Sequence, residues 1–166
     1  MSRIVPLLLA VLFTGCATQQ KASQQKTAGR PASTGKRMTV RTTAYTHTEP
    51  GGRSNAIGGR LRYGSGEYSA ASDWSWLPLG TRFRMPCTGR SYVIEDYGSA
   101  LVGRQTIDLY MPTRRKMNEW GMRHVEIEII EWGSKPMSLK MLQPRTRNRH
   151  VARMVAQLRS QGVKGT

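Results

Sequence analysis

The chain has 166 residues, with 26 Lys and Arg against 10 Asp and Glu, a formal net charge of +16, and two cysteines. That length leaves room for one compact domain with one core and not for a second, and two cysteines exclude a disulfide-stapled scaffold. All ten acidic residues fall between Glu49 and Glu131, and twelve basic ones lie between Arg41 and Arg123, so the middle of the chain is only about +2 and the basic excess lies in the flanks. This speaks against a nucleic-acid binder, which needs a basic folded face with aromatic stacking.

Met1-Ser2-Arg3 followed by an almost wholly apolar run from Ile4 to Phe13 has the form of an export signal, too short to span a bilayer as a permanent helix. Thr14-Gly15-Cys16 comes next, small residues before a cysteine, and the segment resembles a bacterial lipobox. It departs from the usual pattern in having Phe13 three places before the cysteine. Residues 1–15 are therefore read as a lipoprotein signal peptide and Cys16 as a lipid attachment site. Plain signal cleavage near Ala17 is the alternative, and either outcome exports the protein. Ala17 after Cys16 resembles lipoproteins sent to an outer membrane, which gives an envelope location facing the periplasm. Residues 16–37, rich in Gln, Ser, Thr, Ala and Gly with basic groups and no acid, have the composition of a flexible tether.

The folded domain is assigned to residues 38–132. Met38–Tyr45 is rich in β-formers, and Thr81–Met85 alternates Phe83 and Met85 against Arg82 and Arg84. Ser91–Glu95, Thr106–Tyr110 and His124–Trp132 read as three further strands, separated by glycine turns such as Gly58-Gly59 and Pro78-Leu79-Gly80. Cys87, in Pro86-Cys87-Thr88-Gly89, reads as a small half-buried turn residue. A short helix is expected over Thr113–Trp120, with Gly121 as its C-terminal cap. Short strands with glycine-rich connections indicate a mainly β protein, a compact barrel with one or two short helices. Residues 133–166 form a basic tail with eight basic residues and no acid. Within it, Asn148–Gln161 places Val151, Met154, Val155 and Leu158 on one helical face, to pack on the barrel or to lie on an anionic surface.

The chain has three aspartates, each in an unusual setting. Asp73 precedes Leu77-Pro78-Leu79-Gly80. Asp96 ends a strand before Tyr97-Gly98-Ser99, where Gly98 lets the backbone turn sharply against a ligand. Asp108 lies inside an apolar strand between Ile107 and Leu109, so its carboxylate points away from them, to water or into a cleft. Glu95 would point to the opposite face from Asp96 in a regular strand. His47, His124 and His150 are too scattered for a metal site, and neither a serine elbow nor a cysteine with an evident base is present. No metal or cofactor is called for.

Four motifs in order carry a resemblance: Thr43-Ala44-Tyr45-Thr46; Ala71-Ser72-Asp73 with Leu77-Pro78-Leu79-Gly80-Thr81; Glu95-Asp96-Tyr97-Gly98-Ser99-Ala100-Leu101-Val102-Gly103; and Ile107-Asp108-Leu109-Tyr110 with Trp120-Gly121. Over about residues 40–131 the sequence resembles the three-aspartate, or 3D, domain shared by the membrane-bound lytic transglycosylase A family and the stationary-phase survival group of wall hydrolases. It departs from them in lacking a proline soon after Asp73, and in Tyr97 and Ser99 where the family often has Asp-Thr-Gly-Gly. The resemblance implies a six-stranded double-psi β-barrel with its acids in a surface groove. It further implies cleavage of peptidoglycan between N-acetylmuramic acid and N-acetylglucosamine, leaving 1,6-anhydro ends. On that reading Asp108 is the general acid and then base, while Asp96 and Asp73 raise its pKa, bind sugar or hold the groove in shape. Tyr45, Tyr97 and Trp74 are candidates to stack on sugar rings beside Gly98. A hydrolase that uses water and a binding lipoprotein that grips glycan without cutting it are the alternatives. The partners expected are glycan strands and, through Cys16, a membrane, for a monomeric chain.

Overall fold

The computed structural model describes residues 35–49, 52–64 and 66–164. The proposed signal peptide, Cys16 and the tether up to residue 34 lie outside them. Among the described residues six strands close into a barrel: β1 (Arg37–Tyr45), β2 (Tyr68–Ala71), β3 (Arg82–Met85), β4 (Arg90–Asp96), β5 (Thr106–Tyr110) and β6 (Arg123–Glu131). The order around the barrel is β1-β5-β2-β4-β3-β6. The β1/β5 and β2/β4 pairs are parallel and the remaining pairs antiparallel, so the chain crosses over the barrel rather than meandering around it.

Alternation sets the barrel interior. Phe83 and Met85 on β3, Tyr92 and Ile94 on β4, Ile107 and Leu109 on β5, and Ile127 and Ile129 on β6 are buried in one cluster. Five strands were legible from such patterning. The sixth, β2, is only four residues, Tyr-Ser-Ala-Ala, with neither branched residues nor a polar–apolar alternation to announce it.

The described residues hold three α-helices, one more than the sequence suggested: α1 (Arg114–Trp120), α2 (Lys135–Leu142) and α3 (Arg149–Ser160). At α1, the Thr113 hydroxyl accepts from the Lys116 N–H, and Gly121, at φ +61°, closes the helix with its N–H on the Met117 carbonyl. The helix missed by the sequence reading, α2, buries Ser138, Leu139 and Leu142, a short face with no extended apolar period. The Ser138 hydroxyl accepts the Leu79 N–H at 2.9 Å, docking α2 on the Pro78-Leu79-Gly80 turn. The apolar face of α3 (Val151, Met154, Val155, Leu158) joins the same buried cluster as the barrel, so of the two orientations open to this helix it takes the packed one. Cys87 is exposed rather than half-buried, because it sits at the tip of the β3–β4 turn.

Candidate active site

Three adjacent strands, β4, β2 and β5, set the site. In the register of the sheet, Ala71 lies opposite Asp96 on one side and opposite Asp108 on the other, and Asp108 in turn lies beside Thr43 of β1. Asp96, Ala71, Asp108 and Thr43 thus form a row across four strands. At ~4.8 Å per strand the two acids stand about 10 Å apart along the backbone, with the methyl group of Ala71 between them.

A bulge makes this possible. Ala70 pairs with Ile94, yet the next residue, Ala71, pairs with Asp96 and skips Glu95. Without that extra residue Asp96 would continue the inward series of Tyr92 and Ile94. With it, Asp96 turns to the outer face beside Ala71. Glu95 is corrected by the same feature. The strand is not regular there, and Glu95 shares the outer face with Asp96: it accepts from the Ser69 hydroxyl, two residues before Ala71, and pairs with Arg62 at 2.6 Å. Both of its oxygens are thereby occupied.

The acids open into a cavity of about 350 Å³ lined by Tyr45, Glu49, Ser54, Asn55, Ala56, Ala71, Asp96, Tyr97, Gly98, Leu101 and Asp108, within the size range of small-ligand sites. Asp108 accepts the Thr43 hydroxyl on Oδ1 at 2.7 Å, and no donor reaches its Oδ2 among the described residues. Burial, opposed by the Thr43 hydrogen bond and reinforced by Glu49 and Asp96, holds its carboxyl pushed up to about 6. Asp96 accepts the Tyr97 N–H on Oδ1 at 2.9 Å and the Tyr45 hydroxyl on Oδ2 at 3.4 Å. Burial, with Glu95 nearby, also raises Asp96, while these two donors and the backbone of Ala56 pull it back toward the ionised form. Tyr45 is pushed far up by burial and by both acids, so its hydroxyl remains a donor.

The other sequence candidates divide. Tyr45, Tyr97 and Gly98 reach the cavity with Asp96 and Asp108, but Asp73 and Trp74 do not line it. Asp73 is 1% exposed. Its Oδ1 accepts the Ser75 N–H at 2.8 Å and the Ser75 hydroxyl at 2.5 Å, and its Oδ2 accepts the Gly103 N–H at 2.7 Å. That carboxylate ties the turn after β2 to the loop that carries Tyr97 and Gly98, and it is saturated in doing so. Trp74 is fully buried, donates its indole N–H to the Asp96 carbonyl at 2.9 Å, and meets the Tyr97 ring edge-on at 5.0 Å. It supports the groove wall from behind, where no sugar can stack on it.

Thr43, Glu49, Asn55, Ala56 and Ala71 were not singled out from sequence. Thr43 and Ala71 sat inside quoted motifs, and strand register is what gives them a place. Asn55 and Ala56 come from a long loop shaped by the Asn55 side chain, whose Oδ1 accepts the N–H groups of Ile57 and Gly59.

Residues 68–131, from β2 to the end of β6, match the family model described as the 3D domain. The chain carries a 3D domain. Its two groove acids, Asp96 and Asp108, and the buried Asp73 all fall inside the matched segment, while Tyr45 and Thr43 on β1 and the helices α2 and α3 lie outside it. Over 100 residues, 59% of its length, the chain is 36% identical to "Putative cell wall shaping protein YabE" of Bacillus subtilis (strain 168). The aligned part covers 24% of that relative, so the match spans about a quarter of the relative's length.

Proposed function

We propose that the 3D domain of this chain cleaves the glycan strands of the bacterial cell wall as a lytic transglycosylase, breaking the bond between N-acetylmuramic acid and N-acetylglucosamine and leaving a 1,6-anhydro end. The observation that carries this reading is a pair of carboxylates in one groove, of which Asp108 is pushed up to about 6 and has an oxygen open to the cavity. The 3D-domain match and the cell-wall-shaping relative support the substrate class.

The reaction needs an acid and then a base at one place. Protonated Asp108 gives its proton to the glycosidic oxygen as the bond from that oxygen to the anomeric carbon breaks. The resulting carboxylate takes the proton of the C6 hydroxyl as the C6 oxygen bonds to the anomeric carbon, which closes the anhydro ring and restores Asp108. Thr43 fixes Oδ1, so Oδ2 carries the proton. Asp96 faces the same space with its oxygens held by donors that favour its charged form, and in that form it stabilises the positive charge that develops on the sugar ring. Tyr45, Tyr97 and Gly98 line the sugar path. Asp73 and Trp74 act through the loops they hold. The export signal, lipidation of Cys16 and an outer-membrane location facing the periplasm complete the reading, since they place the domain beside its substrate as a membrane-tethered monomer.

Hydrolysis is the second reading, favoured by the presence of two carboxylates in the groove: Asp96 would then activate a water for a direct displacement. Mass spectrometry of sacculi incubated with the protein and with Asp108→Asn separates the cases. Soluble 1,6-anhydro muropeptides from the parent and none from the variant are the expected result, with the parent rate falling about tenfold per pH unit above about 6 as the proton on Asp108 is lost. Reducing ends would mean hydrolysis. Glycan bound but uncut by the folded parent would mean a binding protein.

A further inference from the structure

A second cavity, also about 350 Å³, is lined by Tyr63, Arg90, Met111, Lys116, Glu119, Trp120 and Arg123. Arg90 opens β4 and Asp96 closes it. Six residues of extended strand, about 20 Å at ~3.3 Å per residue, therefore separate Arg90 from Asp96, and Met111 follows Asp108 by three residues, just past the end of β5.

Its electrostatics are unusual. The cavity holds three cations, and each is positioned by neutral partners. The Arg90 guanidinium stands 5.3 Å over the Tyr68 ring and 5.9 Å from that of Tyr63. The Lys116 ammonium stands 4.8 Å over the Tyr63 ring and 3.5 Å from its hydroxyl. The Arg123 guanidinium lies 4.3 Å over Trp120 and donates to the carbonyls of Glu119 and Trp120 at 2.7 Å each. None of the three pairs with a carboxylate among the described residues, and the one acid in the lining, Glu119, is already paired with Arg115 at 2.7 Å. Aromatic faces and carbonyls orient these cations without cancelling their charge. The cavity also offers apolar surface, since Met111 and Trp120 are almost fully buried at its floor.

Uncompensated cations over an aromatic and apolar floor suit an anion carried on a ring: the charge meets Arg90, Lys116 and Arg123, and the ring face meets the aromatic groups. We propose that this cavity is a second binding site that takes a carboxylated or phosphorylated sugar unit. Binding there requires no cleavage, so the site stands apart from the chemistry of the groove.

The test is an NMR titration of the full-length chain with glucuronate, glucose 6-phosphate, glucose and inorganic phosphate, read at the backbone amides of residues 114–123 and the Trp120 indole. At least one anionic sugar is expected to shift these signals, with glucose and inorganic phosphate each at least ~10-fold weaker, as befits a site that needs both charge and ring. Whichever of the two anionic sugars binds more tightly identifies the anion. Arg90→Gln and Lys116→Gln, side chains that hold no backbone group, are each expected to weaken binding ~10-fold with an otherwise unchanged spectrum. Lys116, on the surface of α1, remains informative should Arg90→Gln disturb the fold. Equal binding of glucose, equal binding of inorganic phosphate, no response to either anionic sugar, or full affinity in a folded Lys116→Gln protein would each overturn the proposal.

Discussion

Asp108 and Asp73 are both aspartates of one motif set, and their surroundings give them opposite energetics. Asp108 has one donor and sits in a groove that raises its pKa to about 6. Between about pH 4 and 6 the folded chain keeps a proton that the unfolded chain has released, so this residue's contribution to stability is lost as pH rises through that window. Above it the penalty is complete, on the order of 1–2 kcal/mol given that solvent reaches the groove. Asp108→Asn removes the charge and keeps an oxygen for Thr43. It should raise the melting temperature at about pH 7, give no gain near pH 3.5 where both forms are neutral, and abolish cleavage. Asp73→Asn should behave in the reverse way. One of its two terminal atoms would become an NH₂ facing the N–H of Ser75 or Gly103, and denaturant titration should show a loss of about 2 kcal/mol. A variant at Asp73 that lost activity with full stability would contradict the structural role given to it.

At the scale of elements, the groove depends on a bulge, on a small residue, and on helices far along the chain. Ala71 lies between the two acids in the row across the sheet, is 4% exposed and lines the cavity. Ala71→Leu should therefore fill the space between them and lower activity at least ~100-fold at a stability cost of about 1–3 kcal/mol, measured by sacculus digestion beside thermal melting. The opposite wall is braced from the tail. Arg145, in the turn between α2 and α3, donates to the Ala56 carbonyl at 2.8 Å and reaches the Tyr97 hydroxyl at 3.5 Å, and the His150 ring lies 6.0 Å from that of Tyr97. Arg145→Ala should leave the barrel folded, with a stability loss of about 1–2 kcal/mol, and raise KM for glycan more than it lowers kcat. Sequence could not foresee this bracing, because it joins residues 89 positions apart through a side chain whose only visible trait was its charge.

For the whole molecule, the strands with strong alternation and the helix with both caps were legible because local chemistry and tertiary packing agree there. The three aspartates were legible as a group, and two of them meet in the groove. The role of Asp73 and Trp74 was not legible. Whether a polar side chain in a turn faces a ligand or satisfies the backbone depends on neighbours 30 residues away, here the Gly103 N–H. The bulge at Asp96 was hidden for a related reason: it is a property of pairing between strands, and the sequence of β4 reads as a regular strand through Glu95. Even the basic tail changes meaning once folded, since its apolar face closes the core while Arg145 serves the groove.

All of these scales meet in the state of one carboxyl group. The most direct measurement is a ¹³C carboxyl titration of the full-length chain by NMR, with Asp108→Asn to assign the signal. A midpoint for Asp108 near 6 is predicted. A midpoint near the ordinary aspartate value of about 4 would leave it ionised at neutral pH and contradict the role we propose for it, as the acid that opens the glycosidic bond.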